Sequence, residues 1–246
     1  MSSYAELAPV YDRLMQDVPY DAWIAYYEKV WAEHCKRPTL LLDVGCGTGT
    51  ISYALAARGI DVIGCDPSEE MLAVAGEKGR DLEPRPLFIC QSAEELDLYG
   101  TVDGVISSLD CLNYLPGKVA LGRALARISL FMEPGALMIF DLNTPEKLAS
   151  LDGQTVIKEG EGAYCVWQSS WNARSKKCTF ALDLFTEEDG RWLRGYEEQR
   201  ETAFSRKDVE DCLKTAGLEL LQVAAPSPEM PETAEERLFF IARKPL

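Results

Sequence analysis

The chain has 246 residues and a formal net charge of −15, which comes from 40 acidic against 25 basic side chains. This acidity argues against a broad nucleic-acid-binding surface, because phosphate recognition needs clustered Lys and Arg. The length suffices for one domain with an insertion or for a domain with a small lid, and no run approaches the roughly eighteen apolar residues of a membrane-spanning helix.

The first segment, residues 1–37, is rich in aromatic side chains and lacks the basic and apolar pattern of a secretory signal peptide. We predict a helical cap here, in which most of the aromatic rings, Trp23 among them, pack into the core at helical spacing. The only histidine of the chain, His34, is expected on the solvent side of that cap.

A glycine-rich turn follows the first predicted strand, residues 40–44. Its sequence, LLLDVGCGTG, places three glycines at alternate positions. Because glycine has no Cβ, such a turn can bend sharply and bring the backbone into contact with a ligand. The helix predicted at residues 51–58 points its amide end at the same ligand and ends at Gly59. The pattern predicts a loop that binds a nucleoside cofactor.

Two classes of cofactor use such a turn, and the neighbouring acids distinguish them. A dinucleotide loop holds a pyrophosphate, favours the spacing G-x-G-x-x-G and avoids a carboxylate beside the anion. Here Thr50 occupies the third glycine position, and Asp43 lies two residues before the first glycine. The strand of residues 61–66 ends in Asp66, about twenty residues after the loop, where a ribose diol would be bound. The two acids favour S-adenosylmethionine (SAM), which carries an ammonium and a sulfonium but no phosphate, over NAD.

Strands and helices continue to alternate along the chain. We predict strands at residues 86–90 and 102–107, a helix at residues 118–131 and a buried strand at residues 136–140. This alternation predicts an α/β fold with a doubly wound, mostly parallel, seven-stranded, Rossmann-like sheet. Ligands of such sheets bind at the carboxyl ends of the strands.

The pattern changes in the region that we interpret as an inserted antiparallel β-lid, residues 151–204. Residues 164–171, 178–185 and 191–200 are predicted as its strands, joined by polar turns. We expect this lid to cover the substrate.

A capping box at Ser205 opens the next helix, which ends before Gly217. Two further strands, at residues 218–223 and 238–242, complete the sheet, and the last pair is expected to be antiparallel. The predicted organisation is a helical cap at residues 1–37, a cofactor-binding core at 38–150, the lid at 151–204 and the completion of the core at 205–246.

Two segments are closely similar to motifs of the class I SAM-dependent methyltransferases. LLDVGCGTGT matches the first motif of that family and VIGCDPSEEML matches the second. The similarity continues through VDGVISSLDCLNYL, GALMIFDLN and LFFIARKP, so it covers nearly the whole chain. The opening YAELAPVYDRLM, followed by PYDAW, also resembles a bacterial subgroup that methylates small molecules. The resemblance implies SAM as cofactor, S-adenosylhomocysteine (SAH) as its product and a small-molecule substrate.

The resemblance also implies cofactor contacts from the glycine turn, from the ends of the following strands and from the N-terminal segment. These residues are Tyr11, Asp43, Gly45, Cys46, Gly47, Gly49, Asp66, Pro67, Met71, Ser92, Ala93, Ser108 and Leu109. Tyr11 is expected to fold over the cofactor and shield its sulfonium from water. Ser92 replaces the usual aspartate, so the adenine contact is expected to be weaker, water-bridged or taken over by Gln91.

Asp110, after the fourth strand, is the first candidate for a catalytic carboxylate and for a substrate contact, because it can orient a substrate amine beside the cationic cofactor. Further substrate candidates are Asn113 after the same strand and Tyr196 and Glu198 in the lid. The alternative for these two residues is that neither contacts the substrate: Asp110 caps the next turn and Asn113 faces solvent. Gln199 occupies the position where related enzymes often carry a histidine, so a histidine base is not predicted.

Methyl transfer from a sulfonium is an in-line displacement in which alignment and water exclusion supply most of the acceleration. A neutral amine attacks without help, whereas a hydroxyl needs a base. The shortage of histidine therefore favours an amine, a thiol or an intrinsically acidic acceptor. Three alternatives stay open at this point. They are a non-catalytic SAM-binding sensor or scaffold, an NAD-dependent oxidoreductase and, as the weakest, a nucleic-acid methyltransferase, since the chain lacks the N-P-P-Y type of motif of amino-methylating DNA enzymes.

The eight cysteines include no C-x-x-C pair, and several lie in apolar runs. We interpret them as reduced thiols of a cytoplasmic protein. We expect no metal, no nucleic acid and no membrane partner, and a homodimer stays open as the assembly.

Overall fold

In the computed structural model, which describes residues 4–246, helices and strands alternate along most of the chain. The first three residues of the predicted N-terminal cap lie outside the described residues. The α-helices are α1 (Tyr11–Leu14), α2 (Tyr20–Glu33), α3 (Thr50–Ala56), α4 (Glu69–Lys78), α5 (Lys118–Phe131), α6 (Pro145–Ser150) and α7 (Arg206–Thr215). The strands are β1 (Leu40–Val44), β2 (Asp61–Asp66), β3 (Leu87–Cys90), β4 (Val102–Ser107), β5 (Met132–Asn143), β6 (Thr155–Gly160), β7 (Ala163–Asn172), β8 (Lys177–Glu188), β9 (Arg191–Thr202), β10 (Glu219–Ala224) and β11 (Arg237–Arg243).

One sheet holds seven strands in the order β10-β11-β5-β4-β1-β2-β3. Strands β1 to β5 run parallel, and β11 pairs antiparallel with both β5 and β10. The chain passes from β1 outwards to β2 and β3 and then returns to β4 on the other side of β1. Ligands of doubly wound sheets bind at such a reversal, beyond the carboxyl ends of the strands. The predicted fold class, with its antiparallel last pair, is confirmed.

Helices cover both faces of this sheet. On one face α5 and α7 pack against the strands, and Leu121, Leu125 and Ile128 of α5 are fully buried at helical spacing. On the other face α2 and α3 cover the sheet, with the rings of Trp23 and Tyr27 buried beneath α2. Parallel strands that are covered on both sides have continuous apolar sequences, which explains the run at the centre of β5.

The lid is a four-stranded antiparallel sheet in the order β6-β7-β8-β9. The sequence predicts its three longer strands but neither β6 nor the short helix α6 before it. Val156 and Ile157 of β6 are exposed, so this strand lacks the alternation that identifies a half-buried strand. The inner face of the lid packs against Leu7, Val10 and Leu14 of the N-terminal segment, which form a third apolar cluster with it.

The ends of the helices follow local sequence signals. Ser68 caps α4 by accepting a 3.2 Å hydrogen bond from the backbone N–H of Met71. Ser205 and Asp208 form the predicted capping box at α7. Gly59, with a φ of +81°, follows α3 and allows the chain to turn back towards β2.

Two observations bear on the class of protein. All eight cysteines are free thiols, and four of them are buried. Within residues 4–246, no helix is both long enough and apolar enough to cross a membrane.

Candidate active site

The glycine turn between β1 and α3 has a conformation that side chains would disturb. Gly45, Gly47 and Gly49 have φ angles of +73°, +53° and +75°, in the left-handed region that favours glycine. A Cβ atom on Gly45 would lie 1.9 Å from Sγ of Cys111, and one on Gly49 would lie 2.7 Å from the ring of Phe88. The turn therefore requires glycine at Gly45 and Gly49 both for the backbone angle and for the available space.

Asp66, at the end of β2, receives a backbone hydrogen bond on each of its oxygens. Its Oδ2 accepts from the N–H of Gly47 at 2.9 Å, and its Oδ1 accepts from the N–H of Ser68 at 2.9 Å. Burial raises the pKa of this carboxyl, and the two N–H donors oppose the rise. Each carboxylate oxygen has a second lone pair, so Asp66 keeps the capacity to accept hydrogen bonds from two neighbouring hydroxyls such as those of a ribose.

Asp43, at the end of β1, is only 2% exposed. Its Oδ2 accepts a 2.6 Å hydrogen bond from Oγ of Ser52 in α3. Burial raises the pKa of Asp43 to about 7, the Ser52 bond opposes the rise, and the charge of Asp66 adds to it. A buried carboxylate is stabilised by a cationic partner. This arrangement suits the ammonium of SAM and would repel a pyrophosphate.

A continuous cavity of about 640 Å³ extends from the glycine turn to the inner face of the lid. This volume lies in the range of about 300–1,000 Å³ that small-molecule sites occupy. The predicted cofactor and catalytic residues that line it are Tyr11, Asp43, Gly45, Cys46, Gly47, Asp66, Pro67, Met71, Ser92, Ala93, Ser108, Leu109 and Asp110. Gly49 does not line the cavity; it is the N-cap residue of α3 and lies close to the ring of Phe88. The contact of each residue with the cofactor stays a prediction.

Gln91, Ser92 and Ala93 line the cavity just after β3, where the adenine is expected. The amide of Gln91 is already engaged, because its Oε1 accepts from the N–H of Asp97 at 2.9 Å and its Nε2 donates to the Asp97 carbonyl at 3.3 Å. Oγ of Ser92 donates to Oε2 of Glu95 at 3.2 Å. Both side chains therefore already have partners within the chain, and which of them contacts the adenine stays a prediction.

The N-terminal segment covers the cofactor end of the cavity. Tyr11 lines the cavity, and burial raises the pKa of its hydroxyl well above the ordinary value. The next residue, Asp12, is bound from two sides. Oγ1 of Thr48 donates to Oδ1 of Asp12 at 2.6 Å, and Nζ of Lys78 lies 2.6 Å from Oδ2. These contacts join the N-terminal segment to the glycine turn and to α4, while the ring of Tyr11 packs against the apolar cluster beneath the lid.

The chain leaves β4 through two non-glycine residues in the left-handed conformation. Leu109 has a φ of +57° and Asp110 a φ of +54°, and each such residue costs of the order of 1–3 kcal/mol. The N–H of Asp110 donates to Oδ2 of Asp141 at 2.9 Å, which stabilises this turn. Asp110 is the N-cap residue of the turn at residues 111–114, and its carbonyl accepts from the N–H of Asn113 at 2.8 Å. Its side chain makes no capping hydrogen bond, so the alternative of a cap holds for the backbone only and leaves the carboxylate to other partners.

Arg237, the first residue of β11, lies at the centre of a carboxylate cluster that the sequence analysis does not identify. Its Nη2 is 2.8 Å from Oδ1 of Asp110 and 3.3 Å from Oε1 of Glu232, and its Nη1 bonds to Oδ2 of Asp141. The guanidinium also lies 5.4 Å from the centroid of the Trp23 ring. The sequence signal for this cluster is a single Arg at the start of an apolar strand, since a buried Arg needs acidic partners.

Asn113 lies beneath the lid and not at the cavity. It is fully buried, and its Nδ2 donates to the carbonyls of Asn143 at 3.3 Å and Thr202 at 3.0 Å. Its Oδ1 accepts from the N–H of Asn143 at 3.0 Å. The predicted substrate contact is wrong, and so is the alternative that this residue faces solvent, because the amide joins the strand that enters the lid to the strand that leaves it.

The predicted substrate residues of strand β9 lie on its outer face, and the other face of the strand is directed at the cavity. Tyr196 is 56% exposed, and Glu198 pairs with Arg200 on the outer face of the lid. Gln199 and Glu201, on the inner face, line the cavity instead. The prediction that Tyr196 and Glu198 contact the substrate is therefore wrong by one residue of strand register.

Glu201 is 3% exposed and faces the cavity. Its Oε2 accepts a 2.9 Å hydrogen bond from Nδ2 of Asn143. Burial raises the pKa of Glu201 well above its ordinary value, and the charge of Asp110 raises it further, whereas the Asn143 bond and the charge of Arg237 lower it. The site thus contains a buried carboxyl group that is able to hold a proton.

Comparisons with known proteins agree with this geometry. A family model described as a methyltransferase domain matches residues 41–135. A relative from Bacillus subtilis (strain 168), named "Putative methyltransferase YqeM", is 32% identical over 244 residues, which cover 98% of this chain and 97% of that protein.

Solved structures match this chain over almost its whole length. A SAM-dependent methyltransferase from Clostridium acetobutylicum ATCC 824 matches with a TM-score of 0.86 at 25% identity, covering 99% of both chains. The sugar N-methyltransferase KedS8 from Streptoalloteichus sp ATCC 53650 has the same fold, with a TM-score of 0.80 at 21% identity over 98% of this chain and 94% of that one. By fold, by glycine turn and by full-length similarity, the chain belongs to the SAM-dependent methyltransferases.

Proposed function

We propose that this methyltransferase acts on a small-molecule acceptor that binds between the sheet and the lid. The observation that carries the proposal is the continuity of the cavity. One end of it is formed by the glycine turn and Asp66, and the other by Gln199 and Glu201 of the lid. A volume of about 640 Å³ extends past the cofactor end and leaves room for a second molecule of small size.

The cofactor end supports a defined orientation of SAM. Asp66 is proposed to bind the ribose hydroxyls, and Asp43 with the glycine turn is proposed to bind the amino-acid part. The methyl group would then face Ser108, Leu109 and Asp110 after β4, towards the lid. Within the chain, the task of these residues is alignment and exclusion of water, which supply most of the acceleration in such a displacement.

The reaction transfers one methyl group and needs no redox partner. The lone pair of the acceptor forms a bond to the methyl carbon while the bond from that carbon to sulfur breaks. The electron pair of the broken bond goes to sulfur, and SAH leaves uncharged at that atom. His34 follows α2 outside the cavity lining, so the acceptor must either attack as a neutral nucleophile or give its proton to a carboxylate.

A sensor that binds SAM without turnover is the main alternative. It would need the same cofactor end but not a roomy acceptor end lined by Trp167, Phe180 and Glu201. The similarity in fold to the sugar N-methyltransferase KedS8, over 98% of this chain, gives further support to catalysis on a small molecule. An NAD-dependent oxidoreductase is disfavoured by the buried Asp43 beside the turn.

We further propose a cytoplasmic location and the absence of a nucleic-acid substrate. The eight free thiols support the first, since reduced cysteines are typical of reducing compartments. The net charge of −15 supports the second. A homodimer stays open, and sedimentation of the purified protein would decide it.

Calorimetry with SAM, SAH and NAD, followed by an assay for SAH release over a collection of small-molecule acceptors, tests the proposed function. We expect both sulfur compounds to bind, NAD not to bind, and SAH to accumulate only when an acceptor is present. Binding of SAM with no turnover, in a crystal structure whose methyl group is enclosed by side chains, would favour the sensor.

A further inference from the structure

The acceptor end of the cavity has more buried carboxylates than cations. Four acidic side chains, Asp110, Asp141, Glu201 and Glu232, lie around one guanidinium, that of Arg237. The ion pairs of Arg237 go to Asp110, Asp141 and Glu232. Its side chain is 7% exposed, so water does little to screen the surplus of negative charge.

Glu201 is the member of this group that Arg237 does not bond. Among residues 4–246, the only hydrogen bond to its side chain comes from Asn143, on Oε2. The second oxygen, Oε1, has no hydrogen-bond partner among the described residues and is not one of the side-chain atoms sealed from solvent, so it opens onto the cavity that Glu201 lines. A carboxylate oxygen that faces a ligand cavity from an otherwise buried side chain is stabilised by a proton or by a cation.

The position of Glu201 relates it to the predicted site of methyl transfer. Both residues line the cavity, and the charge of Asp110 raises the pKa of the Glu201 carboxyl group. Asp110 follows Ser108 and Leu109, the residues predicted to lie beside the methionine part of SAM. A cation held between Asp110 and Glu201 would therefore lie next to the methyl group.

An anionic acceptor is the opposite possibility, because Arg237 also lines the cavity. Three carboxylates already occupy this guanidinium, and its Nε is buried without a hydrogen-bond partner among the described residues. Oε2 of Glu232 likewise has no partner there. An incoming carboxylate or phosphate would meet three acidic side chains that line the cavity, those of Asp110, Glu201 and Glu232. The two lysines of the lining, Lys147 and Lys158, are paired with Glu236 and Asp17, so the charge of the site disfavours an anionic acceptor.

Resting on the proposed function, we propose that the acceptor is a primary or secondary amine and that Glu201 binds its ammonium group and accepts one proton from it. The N–H bond of the ammonium breaks, its proton goes to Glu201, and the lone pair stays on nitrogen. The neutral amine then attacks the methyl carbon as the bond to sulfur breaks. The product leaves as a methylated ammonium, and Glu201 returns its proton to solvent.

The test compares amines with neutral molecules of the same shape on the SAH complex of the full-length protein. The probes are cyclohexylamine with cyclohexanol, benzylamine with benzyl alcohol, and glucosamine with glucose. We expect the amines to bind at least tenfold more tightly than their partners, and we expect Glu201→Gln to remove that preference. Glu198→Gln, on the outer face of the same strand, is the matched control and should retain it.

The turnover readout separates a binding role from a structural one. With any amine that the wild type methylates, Glu201→Gln should lower kcat/KM by about 100-fold or more, while the affinity for SAM changes less than twofold. The inference would be overturned if the amines as a set bind no more tightly than the neutral molecules of the same shape. It would also be overturned if Glu201→Gln still binds the amines more tightly. Turnover restricted to neutral acceptors would refute it and leave the proposed function intact, whereas failure of SAM to bind would refute the proposed function itself.

Discussion

Asp12 and Lys78 join the two ends of the cofactor-binding region, with Oδ2 of the carboxylate 2.6 Å from Nζ of the amine. Asp12 belongs to α1 in the N-terminal segment, and Lys78 is the last residue of α4. Lys78 also donates to Oγ1 of Thr50 at 2.9 Å, at the start of α3. These contacts tie a segment distant in sequence to the start of α3, next to the glycine turn, and Tyr11 is the neighbour of Asp12 in that segment.

Breaking this ion pair should weaken cofactor binding more than it weakens the fold. Both side chains are partly exposed, so we expect Lys78→Met to reduce SAM affinity by about fivefold, or roughly 1 kcal/mol, with a smaller loss at high salt. Isothermal calorimetry measures the change. Lys29→Met, which removes an exposed pair with Glu33 on α2, is the control and should leave the affinity unaltered. Equal SAM affinities in the wild type, Lys78→Met and Lys29→Met would show that the Asp12–Lys78 ion pair does not contribute to cofactor binding.

Gly45→Ala should abolish SAM binding. The added Cβ would lie 1.9 Å from Sγ of Cys111, and φ is +73°, so overpacking and left-handed strain together cost about 2–4 kcal/mol. Gly59→Ala, at a φ of +81° with nothing within 4 Å of the added atom, should lose about 1 kcal/mol of stability and keep its affinity for SAM. Thermal unfolding and calorimetry on both variants check this contrast. If Gly45→Ala binds SAM normally, the turn does not contact the ligand.

The affinity for SAM should fall as the pH is lowered below about 7. Burial raises the pKa of Asp43 to about 7 in the ligand-free protein, so at lower pH this carboxyl is protonated and cannot pair with the ammonium of SAM. The expected dependence flattens above that pH, where Asp43 is already ionised. Calorimetric titrations from pH 5.5 to 8.5 measure it, and Asp43→Asn should bind weakly with less dependence on pH. An affinity that rises on acidification would contradict the proposed pairing.

The raised pKa of the Asp43 carboxyl group also predicts how the free energy of unfolding depends on pH. The folded pKa of Asp43 lies above the ordinary value of 3.8, so ionisation of the buried carboxyl destabilises the fold. This effect is absent below the pKa of the unfolded chain and fully developed once the pH has risen through about 7. Asp43→Asn should therefore lose less stability than the wild type between pH 5 and pH 8, as measured by urea unfolding without ligand. Identical pH profiles would show that Asp43 ionises freely in the folded protein.

Removing the amide of Asn113 should loosen the lid. Its three hydrogen bonds join Asn143 to Thr202, and Asn113→Ala leaves these backbone groups without partners, at an expected cost of about 3 kcal/mol. Urea unfolding measures the loss, and amide hydrogen exchange should increase at the ends of β5 and β9. Asn172→Ala, which removes an exposed turn contact to Arg174 and Ser175, should cost less than about 1 kcal/mol.

The cofactor half of the site is predictable from sequence because its determinants are local. The alternate glycines, Asp43 and Asp66 lie within one strand, turn, helix and strand, and each local pattern agrees with the final structure. The acceptor half depends on contacts distant in sequence. Arg237 reaches Asp110 only because β11 pairs with β5, which brings the start of β11 close to the turn after β4. No local sequence pattern indicates this contact.

The inward face of β9 could not be chosen from hydrophobic alternation. Its inner residues Glu197, Gln199 and Glu201 are all polar, as are Glu198 and Arg200 on the outer face. Alternation specifies a strand's register only when one face is apolar. The inner face becomes identifiable through its neighbours, since Gln199 lies opposite the buried Phe180 of β8.

The junction at Asn113 has a consequence for how such an enzyme diversifies. Because the chain enters and leaves the four-stranded insertion at points that one amide holds together, the insertion begins and ends at one place on the seven-stranded sheet. Its inner face is also bound by the N-terminal segment, through Leu7, Val10 and Leu14. An insertion exchanged between relatives would therefore need a matching N-terminal segment, so we expect these two parts of the chain to diversify together.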